Sequence, residues 1–426
     1  MSDLNLINNR PLKLNQKLVV FFIPFLLLGD FLGAFYGEGN EVLPIVRGLI
    51  STIYMLILLL HTSFRYRINR SVWYFVVYVS CLFFFASDVM YSVNVSSKVF
   101  ISLFCLIIGY SYIYSHKAMM SLCRSLLFSS TIAIISIMLA QIFNLGQRTY
   151  SLDVELGFIS GLNTYTYLIL LAPLYYLFES SRLRKLLYNI LFVAMVIYVI
   201  VSFKRVAIAG IFVGYFVFFS VYRKQIKLVK YTLLLALALF ALSPLYKSVL
   251  GKQFEARKDR FENNALENES RYLETPVIWN EVLGFSNPIK SVFGLEAFNT
   301  IGMYGGGSFK ERMAHVDFNG IVISNGLFGL FLYFNIYYSI FKRKSKQKYS
   351  PKSNNYRTAN AVFWALYVTS LFTSLSGGIM ELAFRSIIFV YMGALIRYME
   401  LLSNEMHLDS DGKLNMYSSN TNKHIV

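Results

Sequence analysis

Long apolar stretches separated by short polar connections run along almost the whole chain. A helix needs about 20 apolar residues to cross the hydrocarbon core of a bilayer, and twelve stretches approach that length. They predict membrane-spanning helices at residues 18–36, 43–61, 72–87, 97–114, 121–143, 158–178, 186–202, 206–222, 229–247, 317–341, 358–376 and 379–398. The predicted fold class is therefore all-α, a polytopic membrane protein with about 12 transmembrane helices.

This pattern divides the chain into five parts. Residues 1–17 form a polar amino-terminal segment, and residues 18–247 hold the first nine helices. Residues 248–316 form one large outer loop between spans nine and ten, in which amphipathic helices are expected. Residues 317–398 hold the last three helices, and residues 399–426 form a polar tail. The first apolar stretch ends without an A-x-A cleavage signal, so we expect it to be an uncleaved helix.

Composition excludes two other classes of protein. The 426 residues are 56% hydrophobic and only 15% charged, whereas soluble domains carry about 25% charged residues. A soluble globule is therefore excluded. The 31 tyrosines and 38 phenylalanines exclude a disordered chain, because such chains are poor in aromatic residues.

The net charge of +17 follows membrane topology. Most lysines and arginines fall on alternate connections, with clusters at 65–70, 182–185, 223–230 and 342–357. Cytoplasmic connections are enriched in these residues, so we expect both ends of the chain in the cytoplasm. The charge therefore predicts no nucleic-acid partner.

No metal or cofactor is predicted. Cys81, Cys105 and Cys123 lack the CxxC spacing of a zinc site. The D-x-[DE] triplets begin at Asp153, in a short outer loop, and at Asp409, in the tail. No Walker motif is present either, which argues against nucleotide hydrolysis.

Two cations do not fit the topology. Lys204 and Arg205 stand between two apolar runs at the predicted outer boundary of the membrane. Such a pair is costly there unless it faces a cavity or an anion. The alternatives are snorkelling to headgroups and an anion site, for which phosphate fits because arginine binds it through two parallel hydrogen bonds.

The outer loop contains a helix signal and a turn signal. Thr275 and Pro276 look like an N-cap and a first helical position, and apolar residues then recur at helical spacing from Ile278 to Leu283. This helix is expected to lie on the bundle or on the headgroups. Asn287 and Pro288 should end it. The charged stretch 251–270 is expected to be a solvent-facing helix, and the glycines at 305–307 a mobile loop.

His315 closes the outer loop in a polar cluster with Asp317 and Asn319, and is expected on the same face as Arg205 and Arg271. Two arginines there could hold a diphosphate leaving group. Neutral imidazole is a common general base, so His315 could deprotonate an attacking hydroxyl. The sequence assigns no role to Asp317.

Three local patterns, in this order, resemble the O-antigen polymerase and O-antigen ligase superfamily of membrane glycosyltransferases (Wzy-like and WaaL-like proteins). The first is Ser-x-x-Arg at 202–205. The second is Arg271 before Trp279 and the Asn-Pro turn, and the third runs from His315 to 331 with Gly326 and Gly329. The chain departs from the family at Val316, where asparagine is usual, and in having only Gly294 after the turn.

The resemblance implies a GT-C-like architecture and metal-independent glycosyl transfer without a cofactor. The donor would be a glycan on undecaprenyl diphosphate, with Arg205 and Arg271, and Lys204 beside them, at the diphosphate and His315 activating the acceptor hydroxyl. The implied partners are a glycan or lipid acceptor, the lipid bilayer and a chain-length regulator protein. The implied location is the bacterial inner membrane, with the reaction at its outer face.

Three functions compete. The leading hypothesis is an enzyme that polymerises lipid-linked repeat units into an O-antigen or capsule polysaccharide. The alternative is a ligase that moves the finished glycan onto lipid A core or another acceptor. A transporter or flippase is a different class, but the sequence shows no repeat of two similar halves of the kind carriers often have, and charges within the predicted spans, which carriers use, are scarce, Asp30 being the main one.

Overall fold

The computed structural model describes residues 12–36, 42–60, 62, 66–143, 163–201, 205–222, 270–305, 313–345, 353–378 and 381–410. All regular structure within these ranges is helical. The helices are α1 (Leu14–Tyr36), α2 (Val42–Leu59), α3 (Arg67–Leu82), α4 (Val89–Tyr112), α5 (His116–Ile142), α6 (Asn163–Leu170), α7 (Ala172–Phe178), α8 (Arg182–Val201), α9 (Arg205–Tyr222), α10 (Ser270–Leu283), α11 (Pro288–Phe293), α12 (Asp317–Ser345), α13 (Asn354–Ser374) and α14 (Leu382–Ser410). The predicted all-α class is confirmed.

The apolar helices identify a helical membrane protein. Five helices of the described ranges (α4, α5, α8, α12 and α14) contain segments long and apolar enough to cross a bilayer. Shorter apolar helices lie in α1, α2, α6–α7 and α9. Eleven of the twelve predicted spans therefore coincide with helices, and the span at 229–247 lies outside the described residues. The number of membrane crossings stays a prediction.

The predicted span at 158–178 is not one continuous helix. It is divided at Leu171 into α6 and α7, and Pro173 stands in the first turn of α7. Proline lacks an amide hydrogen and its ring clashes with the preceding turn, so it is favoured where a helix begins. The apolar pattern continues through this point, which is why hydropathy alone merges the two helices.

Glycines allow α4 and α14 to pack backbone against backbone. A Cβ atom on Gly109 would collide with the carbonyl oxygen of Val390, and one on Gly393 would collide with the carbonyl oxygen of Leu106. Small residues at such contacts let membrane helices approach closely. Residues 101–110 of α4 are all buried, and α14 is buried along almost all of its apolar segment, so this pair forms the centre of the bundle.

A second close contact joins α9 to α6 and α13. Gly210 and Gly214 have the small-xxx-small spacing of closely packed membrane helices. A Cβ on Gly210 would lie 3.2 Å from Thr166 Cγ2 and 3.5 Å from Thr369 Cγ2. Gly210 faces both Thr369 and Thr373, whereas Gly214 faces Thr369. The numbering therefore runs in opposite directions, and α9 is antiparallel to α13.

A kink divides α12 at Gly326, whose φ of 68° lies in the left-handed region that favours glycine. Gly294, with φ of 70°, packs directly against it, because a Cβ on either residue would collide with the other's segment. The Tyr78 hydroxyl donates to the carbonyls of Phe293 and Asn325. The kink thus fixes the segment after α11 to the upper part of α12.

An ionic cluster connects α5, α7 and α8 at the end of the bundle away from the α13–α14 turn. The Glu179 carboxylate, which is buried, lies 3.5 Å from Arg124 Nε and 3.0 Å from Arg184 Nη2, and accepts the amides of Ser180 and Ser181. Burial alone would raise the pKa of Glu179, but these amides and the two arginines hold it below its ordinary value.

Candidate active site at the outer loop

His315 is bound on two sides by one buried carboxylate, that of Glu274. The His315 amide donates to Glu274 Oε1 at 2.7 Å, and its ring nitrogen Nδ1 lies 3.1 Å from Glu274 Oε2. Glu274 has no exposed surface, whereas 36% of the His315 side chain is exposed. A histidine oriented by a buried carboxylate and open on its other side has the arrangement of a general base.

Helix α10, which carries Glu274, packs on the upper part of α12. Trp279 Nε1 donates to Asn319 Oδ1 at 3.1 Å, and Asn319 Nδ2 donates to Thr275 Oγ1 at 2.8 Å. Ile278 and Val282 are buried. Of the two predicted positions for this helix, the structure therefore shows the one on the bundle.

The predicted start of this helix at Thr275 and Pro276 is wrong. Helix α10 begins at Ser270, and Pro276 lies inside it. The residues before and at the expected cap are held by tertiary contacts instead, since Glu274 binds His315 and Thr275 binds Asn319. Such contacts override the local preference for proline in the first turn. The helix ends at Leu283, before the Asn-Pro turn in which Asn287 caps α11.

The turn between α13 and α14 packs closely against the backbone of His315. Gly377 has φ of 96°, and a Cβ at this position would collide with the His315 carbonyl oxygen. Only a glycine at 377 lets the turn approach the histidine this closely.

A buried ion pair lies two residues from the histidine. Arg385 Nη2 donates to Asp317 Oδ2, and both side chains are almost completely buried. The remaining guanidinium nitrogens approach the carbonyls of Gly378 and Ser370 at 3.4 Å. Arg385 lies in the first turn of α14, and its side chain is buried inside the bundle. Arg385 therefore connects α12, which begins beside His315, to the α13–α14 turn.

The structure describes the predicted diphosphate ligands only in part. Arg271 lies in the first turn of α10, three residues before Glu274, and Arg205 is the first residue of α9. Lys204 lies outside the described residues. Arg205 precedes Gly210 by about 7.5 Å of helix rise, in the direction of the α13–α14 turn. The backbones of Arg205 and Arg271 and the side chain of His315 are thus at one end of the bundle.

The charged stretch 251–270 that was predicted as a helix is described only at its last residue, Ser270, where α10 begins. The glycine-rich loop is described as far as Gly305, and its residues 306–312 lie outside the described ranges. No cluster of histidine, cysteine or carboxylate side chains suited to a metal ion occurs among the residues described.

Two residues of this site are absent from the sequence-based candidates. Glu274 is one of several acidic residues in a polar loop, and no local pattern distinguishes it. Arg385 stands six residues after the beginning of the predicted span at 379–398, near a membrane boundary where a snorkelling cation is ordinary. Only the tertiary structure shows that each reaches the polar cluster at 315–319. No family model matches the chain, and no curated protein sequence is significantly similar to it.

Proposed function

We propose that the chain is a membrane glycosyltransferase that polymerises oligosaccharide repeat units linked to undecaprenyl diphosphate. One observation carries the proposal: a half-exposed histidine with a buried carboxylate partner lies at the end of an apolar helix bundle. The helix that supplies the carboxylate also carries Arg271 in its first turn, and α9 begins with Arg205 at the same end. An acid–base group beside two arginines suits the transfer of a sugar from a diphosphate.

The proposed reaction is a single displacement. The acceptor hydroxyl oxygen attacks the anomeric carbon of the donor sugar, and His315 takes the hydroxyl proton. The bond between that carbon and the diphosphate oxygen breaks, and its electron pair leaves with undecaprenyl diphosphate. Arg205 and Arg271, with Lys204, stabilise the negative charge that develops on the leaving group. Displacement from the opposite face inverts the anomeric configuration.

The surface beside the site suits a lipid-linked substrate. Below the kink of α12, Phe328, Phe331 and Phe334 are 39%, 64% and 42% exposed. An exposed aromatic face on a membrane-spanning helix lies against lipid tails. A polyprenyl chain in the bilayer could follow this face while its diphosphate reaches the polar end, where His315 lies.

The wider proposal follows the resemblance. It comprises a GT-C-like bundle of twelve spans in the bacterial inner membrane, both chain ends in the cytoplasm, and a reaction at the outer face without a metal ion. The ligase hypothesis involves the same donor chemistry and the same residues, but a different acceptor. The products formed in cells therefore separate the two.

A complementation experiment tests this function. The gene is deleted in its native strain and restored as wild type or as Arg205→Ala, Arg271→Ala, Lys204→Ala or His315→Ala. Arg182→Ala is the matched control, because Arg182 is an exposed arginine at the beginning of α8, at the opposite end of the bundle. Surface and lipid-linked glycans are separated by length, and membrane levels of each variant are compared.

A polymerase gives a ladder of glycan lengths with wild type and Arg182→Ala, and single repeat units with Arg205→Ala, Arg271→Ala and His315→Ala. We expect Lys204→Ala to shorten the ladder. If long lipid-linked chains accumulate while surface attachment is lost, the enzyme is a ligase. If the arginine and histidine variants all restore the normal ladder of glycan lengths, glycosyl transfer at this site is refuted. The transporter hypothesis then gains support.

A further inference from the structure

We propose that Glu274 is the positioning residue of His315: it holds the imidazole proton on Nδ1 and thereby leaves the outward nitrogen, Nε2, as the base. This inference rests on the proposed function for its catalytic meaning. Its physical core, the orientation and tautomer of one histidine, is independent of the substrate. Neither residue type nor spacing indicated it, because 41 positions separate the two residues.

The contact between the two residues has two separate parts. Glu274 Oε1 accepts the His315 backbone amide at 2.7 Å, and Oε2 lies 3.1 Å from the ring nitrogen Nδ1. The first contact fixes the histidine backbone relative to α10, and the second fixes the ring. Because the carboxylate has no exposed surface, water cannot easily replace either contact.

The chemistry of the groups assigns the proton. An ionised carboxylate only accepts hydrogen bonds, and a neutral imidazole carries a proton on one nitrogen. The nitrogen facing the carboxylate must therefore be the donor, and the lone pair lies on Nε2. The amide bonded to Oε1 favours the ionised carboxylate. With 36% of its side chain exposed, His315 can present Nε2 to an acceptor hydroxyl.

The surrounding contacts make the arrangement rigid. The turn at Gly377 packs against the His315 carbonyl, and Asn319 binds both Trp279 and Thr275 from one turn further along α12. The backbone on both sides of the histidine is thus fixed to α10 and to the α13–α14 turn. What Glu274 adds beyond this support is the choice of ring nitrogen.

Glutamine at position 274 separates positioning from simple support. Its carbonyl oxygen can still accept the His315 amide, so the backbone contact is kept. Its NH₂ group then faces Nδ1 and donates to it, which moves the imidazole proton to Nε2. The outward nitrogen loses its lone pair although the loop stays in place. In a catalytic carboxylate–histidine pair, this exchange lowers turnover by up to about 10⁴-fold.

Carbethoxylation by diethyl pyrocarbonate measures the outward lone pair directly. The full-length protein in lipid nanodiscs is treated briefly at pH 7.5, and modification of each histidine is followed by peptide mass spectrometry. His116, whose Nδ1 is bonded to the Tyr398 hydroxyl at the opposite end, is the internal reference. Glu281→Gln is the matched control, because Glu281 lies on the same helix and pairs with Lys290.

We expect Glu274→Gln to lower the modification rate of His315 by about tenfold or more, while the rate at His116 stays unchanged. Elongation of the glycan should fall by about 10²-fold or more, as expected for loss of a general base. Glu281→Gln should match wild type in both assays. Glu274→Asp retains a carboxylate and should recover a substantial part of the His315 reactivity, which keeps the test valid if the glutamine variant folds poorly.

The two proposals fail separately. If Glu274→Gln leaves both the His315 modification rate and elongation at wild-type values, the positioning role is overturned, even where His315→Ala abolishes elongation. If the modification rate falls as expected but His315→Ala does not affect glycan length, the tautomer assignment stands and the proposed glycosyl transfer fails. If Glu274→Asp reacts no faster than Glu274→Gln, the carboxylate is not what orients the ring, and the proposal is also overturned.

Discussion

Arg385 and Asp317 form an ion pair that has almost no contact with solvent, and Asp317 begins the helix that follows His315. The pair therefore links the histidine loop to α14. A charge buried among apolar helices is costly unless it is paired and hydrogen-bonded. Both conditions are met, since Arg385 also approaches two backbone carbonyls.

Removing one member of this pair should destabilise the protein strongly. Arg385→Met leaves the Asp317 charge without its partner, and Asp317→Asn leaves the guanidinium without its counter-charge. Breaking a buried pair from one side costs about 3–5 kcal/mol. We expect a large drop in the thermal midpoint of the detergent-solubilised protein, measured by size-exclusion chromatography after heating.

The double variant Arg385→Met/Asp317→Leu separates charge from packing. Replacing both charges by apolar side chains is often neutral, so the midpoint should return most of the way to that of wild type. If either single variant has the same thermal midpoint as wild type, the ion pair does not stabilise the protein. Arg182→Met, at the opposite end, provides the matched control.

The sequence predicts the apolar helices well because hydropathy is a local property. Eleven spans coincide with helices, and the turn at Asn287 and Pro288 is visible as a residue pair that ends helices. The local sequence pattern does not predict helix boundaries correctly where tertiary contacts determine them. It misplaced the start of α10, because Glu274 and Thr275 are bound by residues of another helix. It merged α6 with α7 across Leu171, because both pieces are apolar.

The sequence likewise predicts only part of the candidate site. His315 stands out in sequence as a rare histidine at a membrane boundary. Its partner Glu274 does not, because a carboxylate in a polar loop has the same appearance whether it is solvated or buried. Arg385 shows the same limit, since its pairing with Asp317 spans 68 positions and two helices. Neither relationship has a local signature.

Gly377→Ala should disturb the histidine more than the fold. The residue has φ of 96°, and an added Cβ would collide with the His315 carbonyl. A non-glycine residue in such a conformation costs about 1–3 kcal/mol. We expect a moderately lower thermal midpoint and glycan elongation reduced by tenfold or more, because misplacement of a catalytic group by about 1 Å can cost 10²-fold. Unchanged elongation would show that the turn does not position His315.

Gly393→Ala tests the contact at the centre of the bundle. A Cβ at this position would collide with the carbonyl oxygen of Leu106, so α4 and α14 must separate. Overpacking of this kind typically costs about 1–3 kcal/mol. The thermal midpoint should fall, whereas Gly48→Ala in α2 should leave it unchanged or slightly higher, because a Cβ there would lie more than 4 Å from every neighbouring atom of the described residues and alanine favours a helix over glycine. Equal midpoints for the two variants would contradict the close packing of α4 and α14.

Glu179 should make the opposite end of the bundle sensitive to acid. Its pKa is held below the ordinary value in the folded protein, so the ionised form stabilises the fold at neutral pH. That contribution is fully present above the ordinary carboxyl pKa of about 4.3, and it is lost as the pH falls through the lower folded value. The difference in thermal midpoint between wild type and Glu179→Gln should therefore be constant from pH 8 to 6 and shrink below about pH 4. A difference that grows on acidification would refute this assignment.

The most direct test of the central claim is elongation by the purified protein. Wild type and His315→Ala are reconstituted in nanodiscs with lipid-diphosphate-linked repeat units extracted from the deletion strain, in the presence of EDTA. Mass spectrometry then measures chain length and released undecaprenyl diphosphate. We predict that wild type forms dimers and longer multiples and releases one diphosphate carrier per new linkage, and that His315→Ala forms neither product. Equal elongation by both proteins would contradict the role of His315, and absence of elongation by wild type would contradict the proposed polymerase.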